Sequence, residues 1–288
     1  MSKKLYFIAC FFISFQINAQ LINWIIIDFA PYYINTDELE VQGRDRGVIE
    51  LLHQQLPGYS FSYSQLPGSR LLHELANPQH NFCFLSLYKT PERLKLFHFS
   101  NHPSTIGLAP TIMMKKSTAL KLKLQSNNPI SLAELSSNHN LVLAASSNRS
   151  FGKSLDAIIK SIPAEQKIYR AGNDVLNSLM TMLHKNRVDL LLGYPDEQLY
   201  LAKKLGFIDE IEIFTIKEAP SYSVGYIGCS NNSLGKDNIA QLDQALLSIY
   251  SLPQYYQVLS RWLPEQFHSD LKIMLQQEVG QYGAKVAP

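Results

Sequence analysis

The chain has 288 residues, with 26 lysines and arginines, 24 aspartates and glutamates, and three cysteines. Lys3 and Lys4 fall in the first 19 residues, so the charges beyond them balance. Such a near-neutral surface argues against nucleic acid as a partner. The length suits one large domain or two lobes of roughly 100–150 residues each.

Lys3 and Lys4 precede an apolar run from Leu5 to Ile17, and the small Ala19 closes it. This is the pattern of a secretory signal peptide, residues 1–19, with cleavage expected after Ala19. The run is short for a membrane span, and "NWIIID" and "VDLLLGY" have the length of buried strands. Beyond the leader, Cys83 and Cys229 remain. In an oxidising compartment two readings stand side by side: one disulfide, or two separate buried thiols. Their spacing matches no zinc pattern, and no cofactor is expected.

Asn23–Asp28 reads as a strand, followed by "FAPYY". Gly47 opens a helix over "GVIELLHQQLPG", which Pro57-Gly58 stops. "YSFSYSQLP" alternates as a strand. "SRLLHELAN" is a short helix with Ser69 as its cap, and "NFCFLSLY" is the next strand. The order strand–helix–strand–helix–strand predicts an α/β fold with a largely parallel sheet. A second block begins with "TIGLAPTIMMKKS", read as one strand, and "SLAELSSNHN", a helix capped by Ser131. "LVLAASS" then runs into a helix within "NRSFGKSLDAIIKSIP". "IYRAG" is a strand, and "DVLNSLMTMLHKN" is a helix with Asp174 as cap and Asn186 at its end. "RVDLLLGY" closes the block as a buried strand. The strand "YSVGYIGCS" and two helices parted by Pro253 complete the chain.

Several pieces now stand in one order: "IIIDFAPYYI", "GVIELLHQQL", "SLYKTPERLKLFHFSNHP", "AELSSNHNLVLAASSNRSFG", "LMTMLHKNRVDLLLGYPDE" and "LDQALLSIYSLPQYYQVLSRWLP". In this order, and most specifically in Thr90-Pro91-Glu92-Arg93 followed by Phe99-Ser100, the chain resembles the family 3 extracellular solute-binding proteins. These are the periplasmic receptors of polar amino acid ABC importers. The resemblance implies a two-lobe, type II periplasmic-binding-protein fold with a hinged central cleft. Residues 20–101 and 228–288 would form the first lobe and 102–227 the second. The crossovers near 101–106 and 219–227 would act as hinges. A monomeric periplasmic receptor handing a small solute to an ABC permease in the inner membrane is the function implied.

The same resemblance nominates the binding residues. Arg93 stands at the position that forks a ligand carboxylate, and Ser86 at a ligand-contacting position on the preceding strand. Ser146, Ser147 and Asn148 end a strand and are placed to cap the next helix, whose free N–H groups suit an anion. Arg149 is an addition that would clamp an acidic ligand. Asp28, Phe29 and Tyr32 would wall the cleft, although the two rings read equally well as core. Tyr194 stands where the amino acid receptors carry an aspartate for the ligand ammonium, with Asp196 or Glu197 as nearby substitutes. The expected function is therefore capture of a small anionic or zwitterionic solute. The competing readings are a dehydratase-like enzyme on the same fold and a free-standing ligand-sensing module. The sequence shows no Ser-His-Asp, HExxH or phosphate-loop pattern to favour an enzyme.

Overall fold

The computed structural model describes residues 20–34, 43–125, 128–138, 140–147, 149–172 and 174–283. The leader and Asn148 lie outside the described residues.

Two five-stranded sheets organise the chain. The first has the order β2-β1-β3-β10-β4, from β1 (Gln20–Ile26), β2 (Tyr59–Gln65), β3 (Phe82–Leu87), β4 (Phe97–Leu108) and β10 (Tyr222–Ser230). The second has the order β7-β6-β8-β5-β9, from β5 (Thr111–Lys115), β6 (Leu143–Ser146), β7 (Lys167–Arg170), β8 (Leu190–Gly193) and β9 (Ile211–Thr215). In each sheet three strands run parallel, because helices carry the chain between them, and a reversed strand is inserted beside the third.

The apolar runs read from the sequence pack into three buried clusters, one with the first sheet and one on each face of the second. In the first, α1 (Arg44–Gln54), α2 (Leu71–Ala76), α8 (Ser233–Ile249), α9 (Pro253–Ser260) and α10 (His268–Gly280) cover the first sheet. Trp24, Ile25, Leu52, Leu85, Ile227 and Tyr255 are among its fully enclosed side chains. In the second, α3 (Lys116–Lys121), α4 (Leu132–Asn138) and α5 (Lys153–Ser161) share one cluster with Ile112, Leu143 and Phe214. On the opposite face, α6 (Val175–His184) and α7 (Pro195–Lys204) enclose Met113, Ala144 and Leu191. Among the described residues no helix is long and apolar enough to cross a membrane.

Several local expectations change. "TIGLAPTIMMKKS" is two strands, divided at Ala109-Pro110: Pro110 has no N–H to continue the ladder, and the chain passes there from the first sheet to the second. β4 and β10 pair from Tyr222↔Leu108 to Ser230↔Phe97, with register shifts around Tyr226, so residues 101–106 and 222–227 of the expected hinge crossovers lie in paired strands of the first sheet, and 219–221 precede β10. Helix α1 starts at Arg44, and Gly47 lies within it rather than opening it. A side chain there would meet Val258 Cγ1 at 2.8 Å, so the glycine serves the close approach of α9. Ser69 does not cap α2; Arg70 holds that position without a side-chain cap bond. Ser131 does cap α4, accepting from the Glu134 N–H at 3.1 Å, and Glu218 reaches the Leu132 and Ala133 amides beside it. Asp174 sits at the start of α6 but bonds the Asn177 side chain instead of a backbone amide. Helices α3, α7 and α10 carry mixed charges and weak periodicity, and the sequence alone did not mark them.

β3 and β10 lie side by side in the first sheet with Cys83 opposite Cys229. The two are joined by a disulfide, with both residues completely buried.

Candidate functional site

The loop after β1 builds one wall. The Phe29 carbonyl accepts from the Tyr32 and Tyr33 amides at 3.0 Å each, and the Phe29 and Tyr32 rings stack with centroids 5.8 Å apart. Helix α1 is tied to this loop by its first residues: the Arg44 amide donates to the Pro31 carbonyl and the Asp45 amide to the Tyr32 carbonyl. The Arg44 guanidinium then lies 4.1 Å over the Tyr32 ring and pairs with Asp45 at 2.8 Å. Neither Arg44 nor Asp45 was expected in the site. The dense charge of "GRDRG", directly before an apolar helix face, was the signal for them.

The floor comes from β3. Ser86 has φ 66°, a left-handed conformation that a serine rarely adopts, and its hydroxyl lies 2.7 Å from Thr105 Oγ1. Gly225 on β10 makes this possible, because a Cβ there would fall 2.6 Å from Ser86 Cα and 2.6 Å from Thr105 Oγ1. Gly225→Ala is therefore expected to cost about 1–3 kcal/mol and displace Ser86. Denaturant melts and ligand titration check both effects, and an unchanged midpoint would contradict the packing argument.

Beyond β3, the Thr90-Pro91 turn is closed by Leu94 N–H donating to the Thr90 carbonyl at 2.9 Å. Arg93 opens a short 3-10 turn, Arg93–Lys95, and its Nη1 donates to the Tyr88 carbonyl at 3.2 Å. Burial pulls the Arg93 guanidinium below its ordinary pKa, against the attraction of Asp156 and Glu92. The motif that began as a charged strand end thus aims an arginine inward.

The facing wall comes from the second sheet. Ser146 ends β6 and Ser147 follows it in a turn. They do not cap α5, which begins at Lys153. Asp156, in the first turn of α5, instead ties down the preceding loop by accepting from the Phe151 amide and the Ser150 hydroxyl. Arg149 forms a bidentate pair with Glu197, 2.8 Å at each nitrogen, and Glu197 is only 2% exposed. Burial lowers the Arg149 pKa, but Glu197 outweighs it and holds the guanidinium above its ordinary value. The same guanidinium lies 4.7 Å over the Tyr194 ring and 4.9 Å over the Phe29 ring. The arginine expected to clamp a ligand is thus held by a carboxylate of its own lobe, and Phe29 is a wall residue that the cation covers.

Tyr194 precedes α7, where Pro195 occupies the first helical position. Its amide donates to Glu197 Oε1 at 3.0 Å, and its hydroxyl donates to Tyr88 Oη at 3.2 Å. Burial drives the Tyr194 phenol well above its usual range, reinforced by Tyr88, so the group is neutral. Asp196 turns across to the first lobe: Tyr32 donates to it at 2.7 Å and Arg44 approaches at 3.5 Å. Tyr32 is 4% exposed, and burial with the added repulsion of Asp196 raises its phenol pKa.

A cavity of about 150 Å³ lies between the two sheets. From the first lobe Asp28, Phe29, Tyr32, Ser86 and Arg93 line it, and from the second Ser146, Ser147, Arg149 and Tyr194. Arg44, Asp45 and Tyr88 are further lining residues. Asn148 falls outside the described residues. Among the described residues no group of three or more His, Cys, Asp or Glu side chains is arranged to hold a metal.

The family model for bacterial extracellular solute-binding proteins, family 3, matches residues 22–265. The chain belongs to this family. This solute-binding protein also shares its fold with solved structures. A putative L-cystine ABC transporter protein from Listeria monocytogenes superposes with a TM-score of 0.65 at 17% identity, covering 86% of this chain and 97% of that one. A histidine-bound ABC uptake substrate-binding protein from Streptococcus pneumoniae gives 0.63 at 14% identity, with 85% and 92% covered. An arginine-specific periplasmic binding protein from Salmonella typhimurium gives 0.60 at 17% identity, with 85% and 100% covered. No curated protein sequence matches the chain. The two-lobe architecture read from the order of motifs is therefore the fold of this solute-binding protein, and its cavity lies between the sheets.

Proposed function

We propose that this family 3 protein is a monomeric periplasmic receptor that captures a small anionic or zwitterionic solute in the cavity and presents it to an ABC permease. Export would proceed by the leader, with cleavage after Ala19. Residues 20–101 with 228–288 and residues 102–227 act as the two lobes, pivoting on the β4–β10 ribbon. The observation that carries the reading is Arg93: a guanidinium lowered in pKa by burial, lining a cavity between two lobes that Ser86 also lines. The similar solved proteins include histidine-bound and arginine-specific examples, which supports a solute of that size.

Ligand binding raises the melting temperature by mass action. Arg93→Ala is expected to weaken binding by about 2–4 kcal/mol, on the order of a hundredfold, and to remove most of the thermal gain. Full retention of the gain would remove Arg93 from the site. The protein is expected to return its ligand unchanged in a single-turnover incubation, and product formation would favour the dehydratase-like alternative.

A further inference from the structure

Helix α7 packs on the second sheet through Leu201 and Ala202, and it also reaches the elements that cover the first. Asp196 and Tyr200, one turn apart on this helix, make both contacts. One Asp196 oxygen accepts from the Tyr32 hydroxyl at 2.7 Å, and the other from Arg44 Nη1 at 3.5 Å. The Glu197 amide donates to Asp196 Oδ1 at 3.1 Å and so holds the carboxylate in place at the start of the helix. Arg44 and Asp196 have only 12% and 14% of their side chains exposed, so salt screens this pair less than an ion pair on the open surface. Tyr200 meets the Trp262 ring edge-on, with centroids 5.2 Å apart and planes at 79°. Tyr32 belongs to the cluster buried with the first sheet. Arg44 opens α1 and Trp262 follows α9, the two helices that approach where Gly47 meets Val258. Asp196, Tyr200 and Trp262 stand outside the cavity lining.

A solute in the cavity favours closure only by as much as it prefers the closed arrangement to the open one. Contacts between the two lobes that lie off the cavity act whatever fills it. They add the same closing free energy for every solute, and they act with none bound. We infer that Asp196 and Tyr200 form a latch that stabilises the closed arrangement by itself, and that both set the affinity of the receptor as positioning residues, without touching the solute. This rests on the two-lobe receptor reading above. It differs from a role for Asp196 as partner to a ligand ammonium, which would act on amino acids alone and would not involve Tyr200.

The test compares the full mature protein with Asp196→Ala, Asp196→Asn and Tyr200→Ala, each shown to be folded by far-UV circular dichroism. With no solute added, small-angle scattering is expected to give a larger radius of gyration for both alanine variants. Asp196→Asn keeps an acceptor for Tyr32 and is expected to show a smaller change. Trp24 is enclosed with the first sheet, so the emission of the Asp196 variants reports Trp262, and a red shift is expected as Tyr200 withdraws from it. Unchanged scattering in both alanine variants overturns the latch. The twenty amino acids, with acetate, succinate and glutarate as amine-free carboxylates, are then titrated by calorimetry. Each one that binds the parent protein is expected to bind about fivefold or more weakly in both alanine variants, by a common factor. A loss seen in Asp196→Ala and absent from Tyr200→Ala overturns the latch and makes Asp196 a ligand contact. If none of these solutes binds the parent protein, the receptor reading loses its support, and the scattering comparison alone decides the latch.

Discussion

Replacing both cysteines, Cys83→Ala with Cys229→Ala, is expected to lower stability by about 4 kcal/mol and the melting temperature by roughly 10 °C. The bond joins residues 146 apart, so in the unfolded chain it closes a loop that contains the whole second sheet. Long loops lose the most entropy on cross-linking, and the native cost is small because β3 and β10 are already neighbours in one sheet. The alanines also remove two fully buried sulfurs, which adds a packing loss. Reduced wild-type protein separates the two contributions, since it keeps the sulfurs and lacks only the bond. Calorimetry on the oxidised, reduced and doubly substituted forms reads each in turn. A reduced protein melting within about 2 °C of the oxidised one would mean that the cross-link contributes little.

Arg149→Ala is the second large effect, about 3–5 kcal/mol. Glu197 would be left 2% exposed without its cation, while still accepting from the Tyr194 amide. An uncompensated buried carboxylate is costly because neither water nor a counter-charge reaches it. Arg149→Met combined with Glu197→Gln removes both charges and keeps an acceptor for Tyr194. The double variant is expected to recover at least about 1 kcal/mol over Arg149→Ala. Urea melts measure the difference, and a double variant no more stable than the single would assign the loss to packing on Phe29 and Tyr194 instead. The three side chains meet at the cleft, so ligand titration on the double variant also reports whether this ion pair shapes the cavity.

The ion pair and the Tyr32–Asp196 bond bear on the charge around the cavity. Both carboxylates that follow Tyr194 are drawn away from the cavity, one within the second lobe and one across to the first. The polarity of the cavity wall is therefore set by who pairs with whom. The residue inventory, in which Asp196 and Glu197 stood as substitutes for an ammonium partner, left that open.

What the sequence determined by itself is local or ordinal. Apolar runs of strand and helix length marked nearly every strand of both sheets, because burial on a sheet face leaves a pattern readable without knowing the partner. The order of "DFAPYY", Thr90-Pro91-Glu92-Arg93 and "NRSFG" was enough to nominate the cleft, since each lies at the end of a strand where helices and sheet open toward a ligand. Tertiary structure decided what distance along the chain conceals. Arg44 and Asp45 entered the site because α1 is stitched to the loop after β1, and Ser86 took its left-handed turn because Gly225 lets β10 approach. Arg149 found its carboxylate partner in Glu197, 48 residues away, and Cys83 met Cys229 only through the pairing of β3 with β10. Charges pair by proximity in space, and a single sequence records the charges without recording the proximity.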